Sequence, residues 1–192
     1  REKQIRTRTL DIGFILSQLV KLENGIIKSK LKGKLDLEKI ALGGHSYGGA
    51  TAILASHDYE TIKSCVVLDG WINPIPDTVV STGLGVPLLS MGRPNWDDSD
   101  YPSNYDKLDV LMSRSSNKKY HFRINETLHL DYTDIPLMSP FIKHVMDVGD
   151  LSPATSLPLV NELVHGFLER HLLEKESAIL DRALKNKLII GS

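Results

Sequence analysis

The 192 residues, 41% hydrophobic and 24% charged, are enough for one globular domain with a buried core. The 23 basic and 24 acidic residues nearly cancel, and no basic block stands out that would select nucleic acid. No apolar run approaches the roughly 18 residues of a membrane span, and the lone Cys65 excludes an intrachain disulfide while leaving the redox compartment open.

The chain opens on Arg1-Glu2-Lys3-Gln4, without a methionine, and reads as if it began inside a longer protein. Ile5, Ile12, Leu16, Leu19 and Val20, with Ile15 and Leu22 alongside, predict an amphipathic helix closed by Asn24-Gly25. Lys28 to Lys34 reads as a solvated loop. A strand over Leu37 to Leu42 then leads into Gly44-His45-Ser46-Tyr47-Gly48, a G-x-S-x-G nucleophile elbow with the serine at the turn. Bulk two residues to either side of that serine is expected to collide with the strand-to-helix crossing. The helix predicted over Tyr47 to His57 aims its amino-terminal amides at the serine oxygen, which favours an oxyanion there.

Further strands are predicted at Ile62 to Leu68, Val86 to Met91 and Lys119 to Ile124. A helical stripe follows at Leu159, Val160, Leu163, Val164, Phe167, Leu168 and Leu172, entered through Ser156 and Pro158. Strands alternating with helices indicate a mainly parallel sheet covered on both faces, and the elbow makes it an α/β-hydrolase sheet. That fold normally places several strands before its nucleophile. With the elbow near residue 46, residues 1–175 are expected to be the C-terminal portion of the domain, and 176–192 a tail.

A serine hydrolase of this fold needs, in chain order, serine, acid and histidine. His129 lies after the last predicted strand, where the base belongs. His45, inside the elbow, is expected to point away from the serine. The acid has two placements: Asp69 at the end of one strand, or Asp97 and Asp98 after the next.

Leu35 to Ala41, Gly44-His45-Ser46-Tyr47-Gly48-Gly49-Ala50-Thr51 and Leu68-Asp69-Gly70-Trp71, with His129-Leu130-Asp131-Tyr132-Thr133-Asp134, together resemble the plasma-type and type II platelet-activating factor acetylhydrolases. In that family the elbow typically reads GHSFGGAT and the acid lies in LDAW. Arg1 to Arg8 is similar to the basic helix start before the family's elbow. The resemblance covers about residues 1–175. It implies Ser46 as nucleophile, His129 as base, Asp69 as orienting acid and the Tyr47 N–H as one oxyanion donor, with the second donor upstream of Arg1. It further implies an acyl-enzyme route, no cofactor or metal, and a phospholipid substrate with a short or oxidised sn-2 chain.

Departures from the family pattern are Tyr47 for Phe, Gly43 for a bulkier apolar residue, and Leu130-Asp131 for neutral polar residues. Relatives of this type are secreted or cytoplasmic, so the compartment is left open. The other readings are a cutinase-, chlorophyllase- or dienelactone-hydrolase-like esterase using Asp97 or Asp98, and a non-catalytic interaction module. Leu137, Met138, Phe141, Ile142, Val145 and Met146 recur at helical spacing. Spacing alone fits a core-facing helix, whereas the resemblance implies a segment that meets a membrane or lipoprotein surface.

Overall fold

The computed structural model describes residues 2–96 and 103–191; Asp97 and Asp98 lie outside the described residues. Helix α1 (Glu2–Glu23) precedes β1 (Ile40–His45), α2 (Tyr47–Asp58), β2 (Ile62–Leu68), α3 (Asp77–Thr82), β3 (Leu88–Gly92), α4 (Asn104–Arg114) and β4 (Lys119–Ile124). A stretch of short 3₁₀ turns follows, then α5 (Pro153–His171), α6 (Ile179–Ala183) and β5 (Ile189–Gly191). The sheet runs β1-β2-β3-β4-β5 in chain order, with β1 to β4 parallel and β5 antiparallel to β4.

Alternation along the strands explains the two layers of helices. Cys65 and Val67 of β2 and Leu88 of β3 point into a core with Ile5 of α1, Ala50, Ile53 and Leu54 of α2, Val79 and Val80 of α3, and Leu108 and Leu111 of α4. Val66, Leu89, Met91 and Phe122 point the other way, onto Val160, Leu163 and Phe167 of α5. Leu180, Ala183 and Ile189 join that second core, so residues beyond 175, for which the sequence suggested only a tail, extend the sheet and cover it. Cys65 is fully buried, and burial pushes its thiol up to about 12.

Several elements differ from their predicted form. β1 starts at Ile40 and continues through Gly43 and Gly44 to His45, because pairing to β2 carries a glycine-containing stretch that has little strand preference of its own. α5 begins at Pro153 after Ser152, whose side chain accepts from the Ala154 amide, and Pro158 lies inside it. On α1 the predicted face is only partly covered: Ile5 is buried, while Ile15 and Val20 are exposed. No helix of the described residues is long and apolar enough to cross a membrane.

Register places the chemistry. His45 pairs with Leu68, Leu68 with Met91, and Gly92 with Arg123, so the carboxyl ends of the parallel strands stop at one edge. Ser46, Asp69 and Arg93 each follow directly on a strand that ends there, the edge where open α/β sheets gather ligands and reactive groups.

Candidate active site

Ser46 has φ 57° and ψ −124°, a strained conformation for a residue with a side chain. Main-chain bonds hold it there. Its N–H donates to the Leu68 carbonyl at 3.0 Å, and its own carbonyl accepts from Gly49 and Trp71 at 3.0 Å each. The tightness of the turn falls on particular glycines. A Cβ on Gly44 would stand 2.2 Å from the Gly48 carbonyl oxygen, and one on Gly49 2.9 Å from Val67 Cγ1. At Gly48 an added Cβ would meet no described heavy atom within 4 Å. The expected collision on both sides of the serine is therefore corrected: Gly44 and Gly49 are the constrained positions, since Gly48 already lies on the open side of α2.

His129 is brought to Ser46 across 83 residues of sequence. Its Nε2 stands 3.0 Å from Ser46 Oγ, and its Nδ1 2.6 Å from Asp69 Oδ2. Asp69 is 1% exposed, and its φ of 41° aims the carboxylate back across the strand ends. Four donors fill its two oxygens: the Arg93 main-chain N–H and the Trp96 indole on Oδ1, Arg93 Nε–H and His129 on Oδ2. Burial alone would push this carboxyl up. The His129 bond, the Arg93 guanidinium and the Arg93 amide outweigh it and hold the carboxyl below its ordinary value. Asn104, at the start of α4, steadies the acid's loop by accepting from Ile72 N–H at 2.7 Å and donating to the Gly70 carbonyl at 3.0 Å. Gly92 leaves room for the carboxylate, because a Cβ there would lie 2.8 Å from Asp69 Oδ1.

The histidine loop has little regular structure and is tied by side chains. Asp131, fully buried, accepts the N–H groups of Leu128 and Gly149 on one oxygen, each at 2.7 Å. Burial pushes its carboxyl up against those two bonds, and the negative charges of Asp147 and Asp69 add to the rise. Asp147 accepts the His129 N–H at 3.3 Å. Trp96 meets the His129 ring edge-on, with centroids 5.6 Å apart.

His45 corrects an expectation. Its side chain does not turn away from the site: Nε2–H donates to the His129 carbonyl at 2.8 Å, and the two rings lie 4.4 Å apart. It can do so because β1 ends beside the incoming loop, a proximity that sequence order does not show. Arg93, Asp131 and Asp147 were also missed as contributors to the site, for the same reason. Leu130-Asp131 had stood out only as a departure from a family pattern.

Tyr47, the first residue of α2, places its main-chain amide next to Ser46, and the Arg8 guanidinium lies 4.7 Å from the centroid of its ring. The six apolar residues after the histidine loop do not form the helix that their spacing suggested. They fall in two 3₁₀ turns, Ile135–Leu137 and Ile142–His144, and the residues between and after them. Leu137, Met138, Phe141, Val145 and Met146 are exposed, and Ile142 is half-buried. Among the described residues no group of three or more His, Cys, Asp and Glu side chains could hold a metal ion.

A family profile for platelet-activating factor acetylhydrolase, isoform II, matches residues 1–187. The chain belongs to that family. Platelet-activating factor acetylhydrolases of Gallus gallus and Bos taurus are each 27% identical to it, over 90% and 92% of its length, and that of Canis lupus familiaris is 25% identical over 97%. The chain spans 41–44% of the length of these relatives. A solved structure, a ferulic acid esterase from Streptomyces cinnamoneus, superposes with a TM-score of 0.80 at 23% identity. That match covers 98% of this acetylhydrolase-family chain and 55% of the esterase, and it establishes a shared α/β-hydrolase fold.

Proposed function

We propose that this chain carries the reacting residues of a serine ester hydrolase that removes short or oxidised sn-2 acyl groups from phospholipids. The observation that supports it most is the unbroken line from Ser46 Oγ to His129 Nε2 at 3.0 Å and from His129 Nδ1 to Asp69 Oδ2 at 2.6 Å. In this reading His129 takes the Ser46 proton as Oγ attacks the acyl carbonyl. The carbonyl π electrons move to oxygen, and the Tyr47 N–H faces the resulting oxyanion at the amino end of α2. His129 then protonates the departing alcohol as the ester bond breaks, which leaves an acyl-Ser46. A water, losing its proton to His129, attacks that acyl group, and the carboxylic acid departs as Ser46 recovers its hydrogen. Asp69, held ionised, keeps the Nδ1–H tautomer and stabilises each imidazolium.

The substrate class follows the relatives named for platelet-activating factor, and the exposed Leu137, Met138, Phe141, Val145 and Met146 suit contact with a lipid surface. A fluorophosphonate probe should label the chain at Ser46, and Ser46→Ala should abolish labelling. Acetate should be released from a 1-alkyl-2-acetyl-glycerophosphocholine in preference to palmitate from its 2-palmitoyl analogue. Absence of labelling overturns the hydrolase reading; labelling without acyl-length preference overturns the substrate.

A further inference from the structure

In a serine, histidine and acid set, the carboxylate stabilises the positive charge that the imidazole acquires. Asp69 does this while already bound to a permanent cation. Arg93 Nε lies 3.0 Å from Oδ2, the same oxygen that accepts from His129. The guanidinium is fixed in place. It stacks over Trp96, 4.2 Å from the ring centroid, and Nη1 stands 3.6 Å from Asp147 Oδ2. Only 15% of its side chain is exposed. Asp147 in turn accepts the His129 N–H, and its carbonyl accepts that of Leu130 at 3.0 Å. One side chain thus spans the end of the acid's strand and the base's loop.

We propose that Arg93 is a positioning residue that locks Asp69 to the histidine loop through Asp147 and sets the pH at which the Ser46–His129 pair becomes reactive. This rests on the hydrolase reading above. The groups facing His129 are Ser46 and His45 at the end of β1, Asp69 at the end of β2, Arg93 and Trp96 after β3, and Asp147 on its own loop, with Asp131 buried two residues on. Burial holds the His45 imidazole below its usual value, leaving Arg93 as the standing cation of this group. A cation so placed opposes a second positive charge on His129. It also keeps Asp69 ionised in a site that would otherwise favour the neutral acid.

Two readouts on the same chain test this: the pH dependence of fluorophosphonate labelling, and a proton NMR titration of the His129 Nδ1–H without probe, assigned by its loss in His129→Asn. Arg93→Gln should raise both midpoints by about one pH unit. Arg93→Lys keeps the charge without the planar fork, so it should hold the midpoints within a few tenths of a unit while slowing labelling several-fold. Asp147→Asn removes an anion from the exposed side of the loop and should move the midpoints down. An Arg93→Gln midpoint equal to that of the unaltered chain overturns the proposal. Should Arg93→Gln not fold, an Asp147→Asn midpoint at or above that of the unaltered chain overturns it. If the unaltered chain labels at no pH, the hydrolase reading fails, and the NMR titration still decides whether Arg93 governs the His129 proton.

Discussion

The elbow that carries Ser46 is shaped by main chain: strand pairing, a strained φ, two glycines without room for a Cβ, and a following helix whose residues Gly49 to Ser56 are all buried. The loop that carries His129 is shaped by side chains instead. Asp131 and Asp147 hold its amides, Thr127 donates to the Ile124 carbonyl at 2.7 Å, and its outer part leaves large apolar residues in solvent. The nucleophile is thereby fixed by sterics, which pH leaves alone, whereas the base is fixed by carboxylates, which titrate. His45 and Ser46 of the elbow are both bonded to His129 of the loop, one to its carbonyl and one to its ring.

The largest expected effect is on the line that joins the two regions. Asp69→Asn should lower the rate of Ser46 labelling by on the order of 10⁴-fold, because the amide can no longer hold the productive imidazole tautomer. Asp97→Asn and Asp98→Asn should change that rate little. Labelling of Asp69→Asn at near the normal rate would remove Asp69 from the role of acid.

Next comes a pair of elbow variants that isolates the steric half of the contrast. Gly44→Ala should cost about 3 kcal/mol or more, since the new methyl meets main chain that cannot swing aside. Gly48→Ala should change stability by less than about 1 kcal/mol, the scale of helix preference alone. Urea unfolding midpoints measure both, and equal losses would show that the turn is not controlled by the Gly44 contact.

These two glycines also show how far the sequence could be read. The motif marked the elbow, a β-branched run marked β2 and an alternating stretch marked β4, both strands with their observed bounds, because those signals are local. Asp69 could be reached only through its Leu-Asp-Gly-Trp setting, since Asp97 and Asp98 fitted the spacing equally well. Which glycine is sterically required depends on where Gly48 O and Val67 fall in space. The roles of His45, Arg93 and Asp147 depend on strands ending together, which one-dimensional spacing cannot report. α4 was readable, with Leu108, Leu111 and Met112 at helical intervals, and was passed over. The run from Leu137 to Met146 misled, because helical spacing of apolar residues does not require a helix when nothing buries that face.

The carboxylate half of the contrast is tested by pH. Asp69 has a folded-state value below the unfolded one, so its contribution is present above the ordinary carboxylate range and is lost as pH falls through the depressed value. Asp131 is raised, so its contribution is full below that range and is lost as pH rises through the raised value. Urea midpoints from about pH 3 to about pH 7 should therefore fall less steeply on the acid side in Asp69→Asn and less steeply on the neutral side in Asp131→Asn. Parallel curves for both variants would mean that neither carboxylate distinguishes folded from unfolded chain.

The smallest effect on chemistry should come from the outer loop. Phe141→Ser with Ile142→Ser should weaken partitioning to phosphatidylcholine vesicles several-fold while changing hydrolysis of a soluble short ester less than about twofold. Unchanged partitioning would separate the exposed apolar residues from any lipid role, and loss of folding would assign Ile142 to the core.

Cys65 gives the molecule an internal clock for its own opening. It is the chain's lone thiol, sits at the centre of β2 beneath the elbow helix, and has no solvent exposure. With its ionisation pushed up to about 12, it offers almost no thiolate at neutral pH while the sheet is closed. A thiol reagent in excess should modify it only during excursions that separate α2 from β2, so the modification rate counts those excursions directly. Followed across the elbow and loop variants, that rate would show which substitutions loosen the sheet under the nucleophile and which disturb only the side chains above it.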